Sequence, residues 1–166
     1  MLCRMDYPSP LGELTLLSSE RALVCAAFPD QKHYAAAVKG AKGAVRQEHP
    51  ILEETRRWLD CYFSGAVPDF LPPLAPRGTA FQLRVWELLQ RIPYGRWVSY
   101  GAIAKALGSS PRAVGSAVGR NPISILLPCH RVLGADGALT GYAGGLRRKE
   151  MLLALEAGRN TEEYPL

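Results

Sequence analysis

The sequence predicts an α/β protein in two parts, and three observations lead to that fold class. Apolar residues make up 48% of the 166 residues, which is enough for a packed core. The first half carries strand patterns and one helical pattern, whereas the second half is strongly helical. Between them, residues 67–76 hold four prolines, a density that neither a helix nor a central strand accommodates. We therefore expect one domain at residues 1–74 and another at residues 75–166.

The first part begins with a predicted β-hairpin. Residues 11–17 and residues 22–28 are mostly apolar and flank the polar turn at residues 18–21. Residues 51–63 place their apolar side chains at helical spacing, and Ser64-Gly65 ends that pattern. We therefore expect two strands and a helix before the Pro-rich stretch.

The second part is predicted to contain four helices. Thr79 is expected to cap the first, Gly108 to end the second, and Ser109 or Ser110 to cap the third. The helices are expected at residues 81–92, 100–107, 112–118 and 147–157.

Several function classes are excluded by composition. No stretch approaches the roughly 20 apolar residues of a membrane helix, and the N-terminus lacks the apolar run of a signal peptide. We expect a soluble protein of the cytoplasm, or of the nucleus in a eukaryote, with no membrane partner. Cys3, Cys25, Cys61 and Cys129 form no Cys-x-x-Cys pair, so no disulfide and no metal site are predicted. The first three are interpreted as small buried apolar residues.

Charge is distributed unevenly along the chain. Residues 77–150 hold eleven lysine or arginine residues against three acidic ones, whereas the remainder holds nine against twelve. Such asymmetry favours a polyanionic partner for the second part, although many basic faces are merely solvated.

The short helices at residues 100–107 and 112–118, separated by a tight turn, have the outline of a helix-turn-helix. Apart from Arg112, the second helix has no long polar side chain that could contact base edges. Its small residues would allow close approach to a nucleic-acid backbone. Two core helices with small residues chosen for packing would have the same spacing, and spacing alone does not separate these interpretations.

Cys129-His130 is a more specific chemical feature than the helix pair. A histidine lowers the pKa of a nearby thiol or takes its proton through water, and the thiolate is the nucleophile. Pro128 restricts the backbone before the cysteine. For an isolated Cys-His dipeptide, a buried cysteine beside a surface histidine is clearly the better explanation, so the dipeptide alone does not predict catalysis. The glycine-rich run at residues 141–145 is either an ordinary turn or the wall of a flat pocket, and it lacks the phosphate-binding loop pattern.

Taken together and in order, these motifs resemble the methylated-DNA–protein-cysteine methyltransferase family. The similarity covers residues 78–156, and Ser9-Pro10-Leu11-Gly12 matches more loosely. Its most specific element is Pro128-Cys129-His130-Arg131-Val132. The others are Gly78-Thr79-Ala80-Phe81-Gln82, Val85-Trp86, Ile92-Pro93-Tyr94-Gly95, Ser99-Tyr100-Gly101, Arg112-Ala113-Val114-Gly115, Asn121-Pro122-Ile123, Gly141-Tyr142-Ala143-Gly144-Gly145 and Leu152-Leu153-Ala154-Leu155-Glu156.

The resemblance implies a fold and an activity. The first part would be a ribonuclease-H-like α/β domain without nuclease activity, and the second a mostly helical winged helix-turn-helix domain. The protein would repair double-stranded DNA as a monomer without a cofactor. It would transfer an alkyl group from O6 of guanine, and from O4 of thymine, irreversibly to Cys129.

The resemblance also implies residue roles in catalysis. Cys129 would accept the alkyl group, His130 would act as a base through a water molecule, and Glu156 would orient His130. Asn121 would hold the segment near Cys129 by hydrogen bonds. Tyr100 would help to rotate the damaged nucleotide out of the duplex and could donate a proton to the leaving guanine.

Further roles concern DNA and the substrate pocket. Arg112 would fill the gap left in the base stack, and Ala113 and Gly115 would lie against the DNA. Gln82 falls where the family contacts a phosphate. Tyr142, Ala143, Gly144 and Val132 would line the pocket. The turn before Arg112 is about two residues shorter than in most of the family, and Val118 stands where relatives carry Asn or Met.

Two other functions fit part of the sequence. A non-catalytic module that flips and marks alkylated bases is disfavoured because such proteins lack the cysteine. A hydrolase using Cys129, His130 and Glu156 fits in outline, but it leaves Arg112 and the basic segment without a purpose.

Overall fold

The computed structural model describes residues 1–156 and 162–166, which form two compact units. The first comprises Met1–Arg77 together with Pro122–Ser124, and the second comprises Gly78–Asn121 and Ile125–Leu166. The boundary predicted between residues 74 and 75 lies in the Pro-rich stretch, three residues before the point where the units divide. None of the helices in the described part is long and apolar enough to cross a membrane.

The first unit is built on a three-stranded antiparallel sheet in the order β1-β2-β3. The strands are β1 (Cys3–Ser9), β2 (Gly12–Ser18) and β3 (Leu23–Ala27). The predicted hairpin is confirmed as β2 and β3, which pair through Leu16 and Ala26. Strand β1 was not predicted, because its polar and partly exposed residues give no clear alternation.

Two helices complete the first unit: α1 (Tyr34–Ala37) and α2 (Pro50–Phe63). The helix predicted at residues 51–63 is confirmed as α2. Its proline occupies the first turn, where a missing N–H removes no hydrogen bond, and its apolar face is buried. Cys3 and Cys25 are buried as expected, whereas Cys61 is only partly buried.

The second unit contains α3 (Ala80–Gln90), α4 (Tyr100–Leu107), α5 (Pro111–Gly119) and α6 (Leu146–Leu155). Trp86 Nε1 donates to the carbonyl of Ala117 at 2.9 Å and so joins α3 to α5. Ser110, rather than Ser109, caps α5. The last helix was expected to reach Ala157, which lies outside the described residues.

A short parallel ladder connects the helix pair to the cysteine segment. Strand β4 (Val98–Ser99) pairs with β5 (Val132–Leu133). Tyr100 follows β4 directly, and the single 3₁₀ turn Cys129–Arg131 directly precedes β5. The ladder therefore fixes Tyr100 and Cys129 within one framework.

Candidate active site

Cys129 lies at the start of a buried 3₁₀ turn whose backbone is set by the residue before it. Pro128 has φ −79° and ψ 64°, and the Cys129 N–H donates to the carbonyl of Leu127 at 2.7 Å. This is an inverse γ-turn, to which the proline ring supplies φ. Asn121 Nδ2 donates to the same carbonyl at 2.9 Å. Four residues before Cys129 in the chain, Ile125 is buried with φ 73°, a costly conformation for a β-branched residue.

His130 and Glu156 form a fully buried pair. His130 Nε2 lies 2.7 Å from Glu156 Oε2, although 26 residues separate them. Arg131 donates to both carboxylate oxygens, from Nε at 2.8 Å and from Nη2 at 3.1 Å. Burial by itself would raise the pKa of Glu156, but the hydrogen bonds from His130 and Arg131 outweigh it and hold that pKa below its ordinary value. Glu156 is therefore a carboxylate.

The turn after α3 completes the surroundings of this carboxylate. Gly95 has φ 75°, a left-handed conformation suited to glycine, and its N–H donates to Glu156 Oε1 at 2.8 Å. Arg131 Nη1 donates to the carbonyl of Ile92 at 2.7 Å. The buried charges of Glu156 and Arg131 are thus paired and hydrogen-bonded, as buried ions must be.

The hydrogen bond to Glu156 determines which nitrogen of His130 carries the proton. Burial lowers the pKa of His130, more than the adjacent carboxylate raises it, so the imidazole is neutral. A carboxylate only accepts hydrogen bonds, so Nε2 carries the proton and Nδ1 is an acceptor. Nδ1 is buried and no group among the described residues bonds to it. His130 thus offers a basic nitrogen that the rest of the site leaves available.

The Cys129 thiol is surrounded by groups with opposing effects. It is 4% exposed, and burial raises its pKa. Hydrogen bonding with the side chains of Asn121 and Tyr142, and the charge of Lys149, act in the opposite direction. A buried thiol of raised pKa needs a base to become a nucleophile.

Lys149 is a residue of this site that sequence reasoning missed. It is fully buried, and its Nζ donates to the carbonyls of Val132, Thr140 and Gly141 at 2.6, 2.8 and 3.0 Å. Burial lowers its pKa to about 8, against a smaller raising effect of Cys129. Lys149 is spaced from Leu152, Leu153 and Glu156 so that all four lie on one face of α6 and its C-cap. This spacing could have predicted from the sequence that Lys149 is buried.

Tyr100 opens α4 and is partly buried. Its Oη donates to the carbonyl of Gly141 at 3.3 Å, so it shares that acceptor with Lys149. Its ring lies 5.7 Å from Lys149 Nζ and next to α5, where a Cβ built on Gly115 would lie 3.9 Å from two ring carbons. Burial raises the pKa of Tyr100, while a hydrogen bond with Thr140 opposes this. Tyr100 therefore stands between the helix pair and the glycine-rich loop.

The remaining candidate residues are spread over the second unit. Arg112 is exposed at the second position of α5, and Ala113 is partly exposed beside it. The side chain of Gln82 closes a capping box by accepting the N–H of Thr79 at 2.9 Å. In the glycine-rich loop, Tyr142 and Ala143 are partly exposed, whereas Gly144 is buried; Val132 is buried in β5.

The second unit thus brings together Cys129, His130, Glu156, Asn121 and Tyr142. Tyr100 and Lys149 connect to them through the loop at residues 140–142. Arg112 lies on the surface of α5, and Gln82 at the beginning of α3. Among the described residues, no group of three or more His, Cys, Asp or Glu side chains is arranged to hold a metal ion.

Two family models match the chain in succession. Residues 4–76 match the ribonuclease-like domain of 6-O-methylguanine DNA methyltransferase, and residues 80–158 match its DNA-binding domain. A relative from Haemophilus influenzae is 44% identical over 153 residues, covering 90% of this chain and 83% of the relative. One from Methanosarcina acetivorans is 45% identical, covering 90% and 95%. Both are named methylated-DNA–protein-cysteine methyltransferase.

The chain belongs to the methylated-DNA–protein-cysteine methyltransferase family. The predicted family, its two-part α/β fold and its DNA-binding second part are thereby confirmed. Among solved structures, the O6-methylguanine methyltransferase of Mycobacterium tuberculosis has a TM-score of 0.82 and 40% identity, covering 96% of this chain and 95% of that one. A structure of the M. tuberculosis protein in complex with DNA has a TM-score of 0.77 at 40% identity, covering 93% and 91%.

Proposed function

We propose that this methyltransferase repairs double-stranded DNA directly, by moving a methyl group from O6 of guanine irreversibly to Cys129. O4 of alkylated thymine is a second substrate. The observation that carries the proposal is the buried arrangement of Cys129, His130 and Glu156, in which His130 Nδ1 is an unpartnered acceptor. A thiol with a raised pKa beside a neutral, oriented imidazole is suited to proton removal followed by nucleophilic attack.

The reaction balances without a cofactor. A water molecule passes the thiol proton of Cys129 to His130 Nδ1, and Glu156 stabilises the imidazolium that forms. The thiolate attacks the methyl carbon: the S–C bond forms, the C–O6 bond breaks, and its electron pair goes to the guanine. Tyr100 donates a proton to that guanine, and the tyrosinate left behind takes up the proton that His130 received, so both side chains return to their neutral forms. The products are unmodified guanine and S-methylcysteine.

Attack at O6 requires the damaged base to leave the duplex, at a cost of a few kcal/mol. We assign Tyr100 to rotating the nucleotide out, and Arg112 to filling the gap in the base stack. The small residues Ala113 and Gly115 allow α5 to approach the minor groove closely, and Gln82 contacts a phosphate. The excess of basic residues between 77 and 150 supports phosphate contacts along this part of the chain.

The extruded base would enter a pocket lined by Tyr142, Ala143, Gly144 and Val132. Asn121 keeps the backbone before Cys129 in place through its bond to Leu127.

All the assigned catalytic side chains lie in the second unit, which supports action as a monomer. Because the thioether is stable, each molecule reacts once. A protein that acts on chromosomal DNA belongs in the cytoplasm, or in the nucleus of a eukaryote.

Incubation with a duplex that carries one O6-methylguanine tests this function. We expect peptide mass spectrometry to find one added methyl group on Cys129, with methyl transfer stopping at one equivalent of protein. Cys129→Ala should abolish the transfer, whereas Cys61→Ala, a matched change at a partly buried cysteine of the first unit, should retain it. Binding of the lesion without transfer would indicate a base-marking module instead. Repeated turnover, on this DNA or on an ester, would also contradict the proposal.

A further inference from the structure

The segment with Glu163 and Tyr164 contacts residues 96–99, which lead into α4. The Tyr164 N–H donates to the carbonyl of Trp97 at 2.8 Å. The guanidinium of Arg96 lies 5.0 Å from the centre of the Tyr164 ring, within the range of a cation–π contact. A backbone hydrogen bond and a ring contact therefore fix this segment at the residues just before α4.

Glu163 extends this attachment to the first turn of α4. Its Oε1 accepts two hydrogen bonds from Ser99, one from the backbone N–H at 2.8 Å and one from Oγ at 2.6 Å. Ser99 is the N-cap of α4, and its Oγ accepts the N–H of Ala102 at 3.0 Å. Because the hydroxyl proton points to Glu163, the oxygen lone pairs of Ser99 are left for the helix.

Two effects make this contact favourable. Hydrogen bonds to an ionised carboxylate are stronger than those between neutral groups. A negative charge near a helix N-terminus also interacts favourably with the helix dipole. Glu163 thus strengthens a cap that Ser99 already provides.

The residue that follows this cap is Tyr100. Its backbone is held at the N-terminus of α4, and its hydroxyl is held by the carbonyl of Gly141. A loosened cap would let the first turn of α4 fray and change the direction of the Tyr100 side chain.

We propose that Glu163 and Tyr164 are positioning residues for base extrusion: they hold the cap of α4 so that Tyr100 meets the DNA in the correct orientation. The inference rests on the proposed role of Tyr100. It assigns these two residues no contact with the reacting atoms, so the chemistry at Cys129 should not depend on them.

The test compares a substrate that requires extrusion with one that does not. Single-turnover rates are measured for a duplex carrying O6-methylguanine and for free O6-benzylguanine, an alkylated base with no duplex to leave. For Glu163→Ala, we expect the maximal rate on the duplex to fall roughly fivefold, less than the full effect of losing a hydrogen bond to a charged group because Glu163 is exposed. The DNA concentration at half-maximal rate and the rate on the free base should stay within about twofold of the unmodified protein.

Glu163→Gln keeps an oxygen acceptor and should restore part of the duplex rate. Glu150→Ala, which removes an exposed carboxylate from α6, is the matched control and should leave both rates unchanged. A direct readout of extrusion is the fluorescence of 2-aminopurine beside the lesion, in the Cys129→Ala background. The rise in fluorescence on binding should be smaller when Glu163→Ala is also present.

Equal loss of both rates in Glu163→Ala would overturn the inference, because the contact would then support the thiol pocket or the fold as a whole. Unchanged rates and unchanged fluorescence would overturn it as well. Failure of the unmodified protein to methylate Cys129 is a different result, which would refute the proposed function itself.

Discussion

Lys149 introduces a positive charge into the interior, where it interacts with the Cys129 thiol. Its three carbonyl partners belong to β5 and to the loop that follows, so one ammonium group ties a strand to the wall of the predicted pocket. The depressed pKa of Lys149 reflects the cost of keeping this charge away from water. At neutral pH the charge persists and favours the thiolate of Cys129.

Lys149 should therefore leave a signature in the pH dependence of stability. Its pKa is about 8 in the folded protein and 10.5 ordinarily, so the folded state binds fewer protons between these values. The free energy of unfolding contributed by this group should consequently rise with pH across that window, by about 3 kcal/mol at most. Urea unfolding between pH 7.5 and pH 10.5, compared with Lys149→Met, measures this contribution.

The comparison cancels the buried tyrosines and cysteines whose titration does not involve Lys149, and it leaves Lys149 together with its electrostatic coupling to Cys129. Loss of the three hydrogen bonds in Lys149→Met gives an offset that does not change with pH, whereas loss of the titration changes the slope. Lys105→Met, at an exposed position of α4, serves as the control. Parallel curves for the native protein and Lys149→Met would contradict the expectation.

The contact between Arg131 and Glu156 could not be predicted from the sequence. The motif resemblance singled out Glu156 and the Pro-Cys-His-Arg segment, but it gave Arg131 no role. The bonds between the two join positions 25 residues apart, and only the path of the chain brings them together. Lys149 was missed for a related reason, because a lysine is ordinarily interpreted as an exposed helix residue.

At the scale of elements, helix caps set the geometry of the pair formed by α4 and α5. Ser99 caps α4 and Ser110 caps α5, each accepting the N–H three residues later. Gly108, with φ 62°, ends α4 in the left-handed conformation and leaves only a short turn before α5. Arg112 occupies the first turn of α5, so the cap fixes where its side chain begins.

Removing the Ser110 cap should lower stability and slow repair together. Ser110→Ala leaves the Ala113 N–H without its side-chain acceptor and should cost about 1 kcal/mol. Because Arg112 lies in the affected turn, we also expect a slower single-turnover rate on duplex DNA, with little change on a free alkylated base. Urea unfolding and the two rate measurements check this.

Ser109→Ala is the matched control one residue earlier. Ser109 is exposed and is not the cap residue, so its replacement should leave stability and rates nearly unchanged. Equal effects of the two substitutions would show that the cap does not determine the position of Arg112.

Most elements could be predicted from the sequence, and those missed are explained by weak local signals. Helices α2 to α5 are predicted by the helical spacing of their apolar residues, by their cap residues and by the glycines that end them. Strand β1 is detected poorly because only Cys3 and Tyr7 carry a buried side chain, and their spacing of four residues gives no alternation. Strands β4 and β5 have two residues each, too few for any pattern, and exist because they pair with each other.

At the scale of the whole molecule, the burial of Cys129 links repair to stability. The thiol is 4% exposed and hydrogen-bonded before reaction, so the proposed transfer would replace its S–H group with a larger S–CH3 group among packed side chains. Overpacking a core commonly costs about 1–3 kcal/mol. The protein should therefore be less stable after it has acted.

Thermal unfolding before and after reaction with one equivalent of O6-methylguanine duplex measures this effect. We expect the methylated protein, separated from DNA, to unfold several degrees lower than the unreacted protein. Cys129→Ala carried through the same incubation should show no shift. An unchanged or higher Tm of the methylated protein would mean that the pocket accommodates the added group without strain.

The two-residue ladder of β4 and β5 has a consequence for how this protein tolerates changes in length. Tyr100 directly follows β4, and Cys129 lies three positions before the start of β5. The pairing of the two strands therefore fixes the spacing between Tyr100 and Cys129. One residue inserted at either strand would displace one side chain relative to the other by about 3.3 Å. Added residues at the exposed turn near Ala135 and Asp136 would leave that spacing intact. Variation in length should therefore accumulate in that turn and be absent from the ladder.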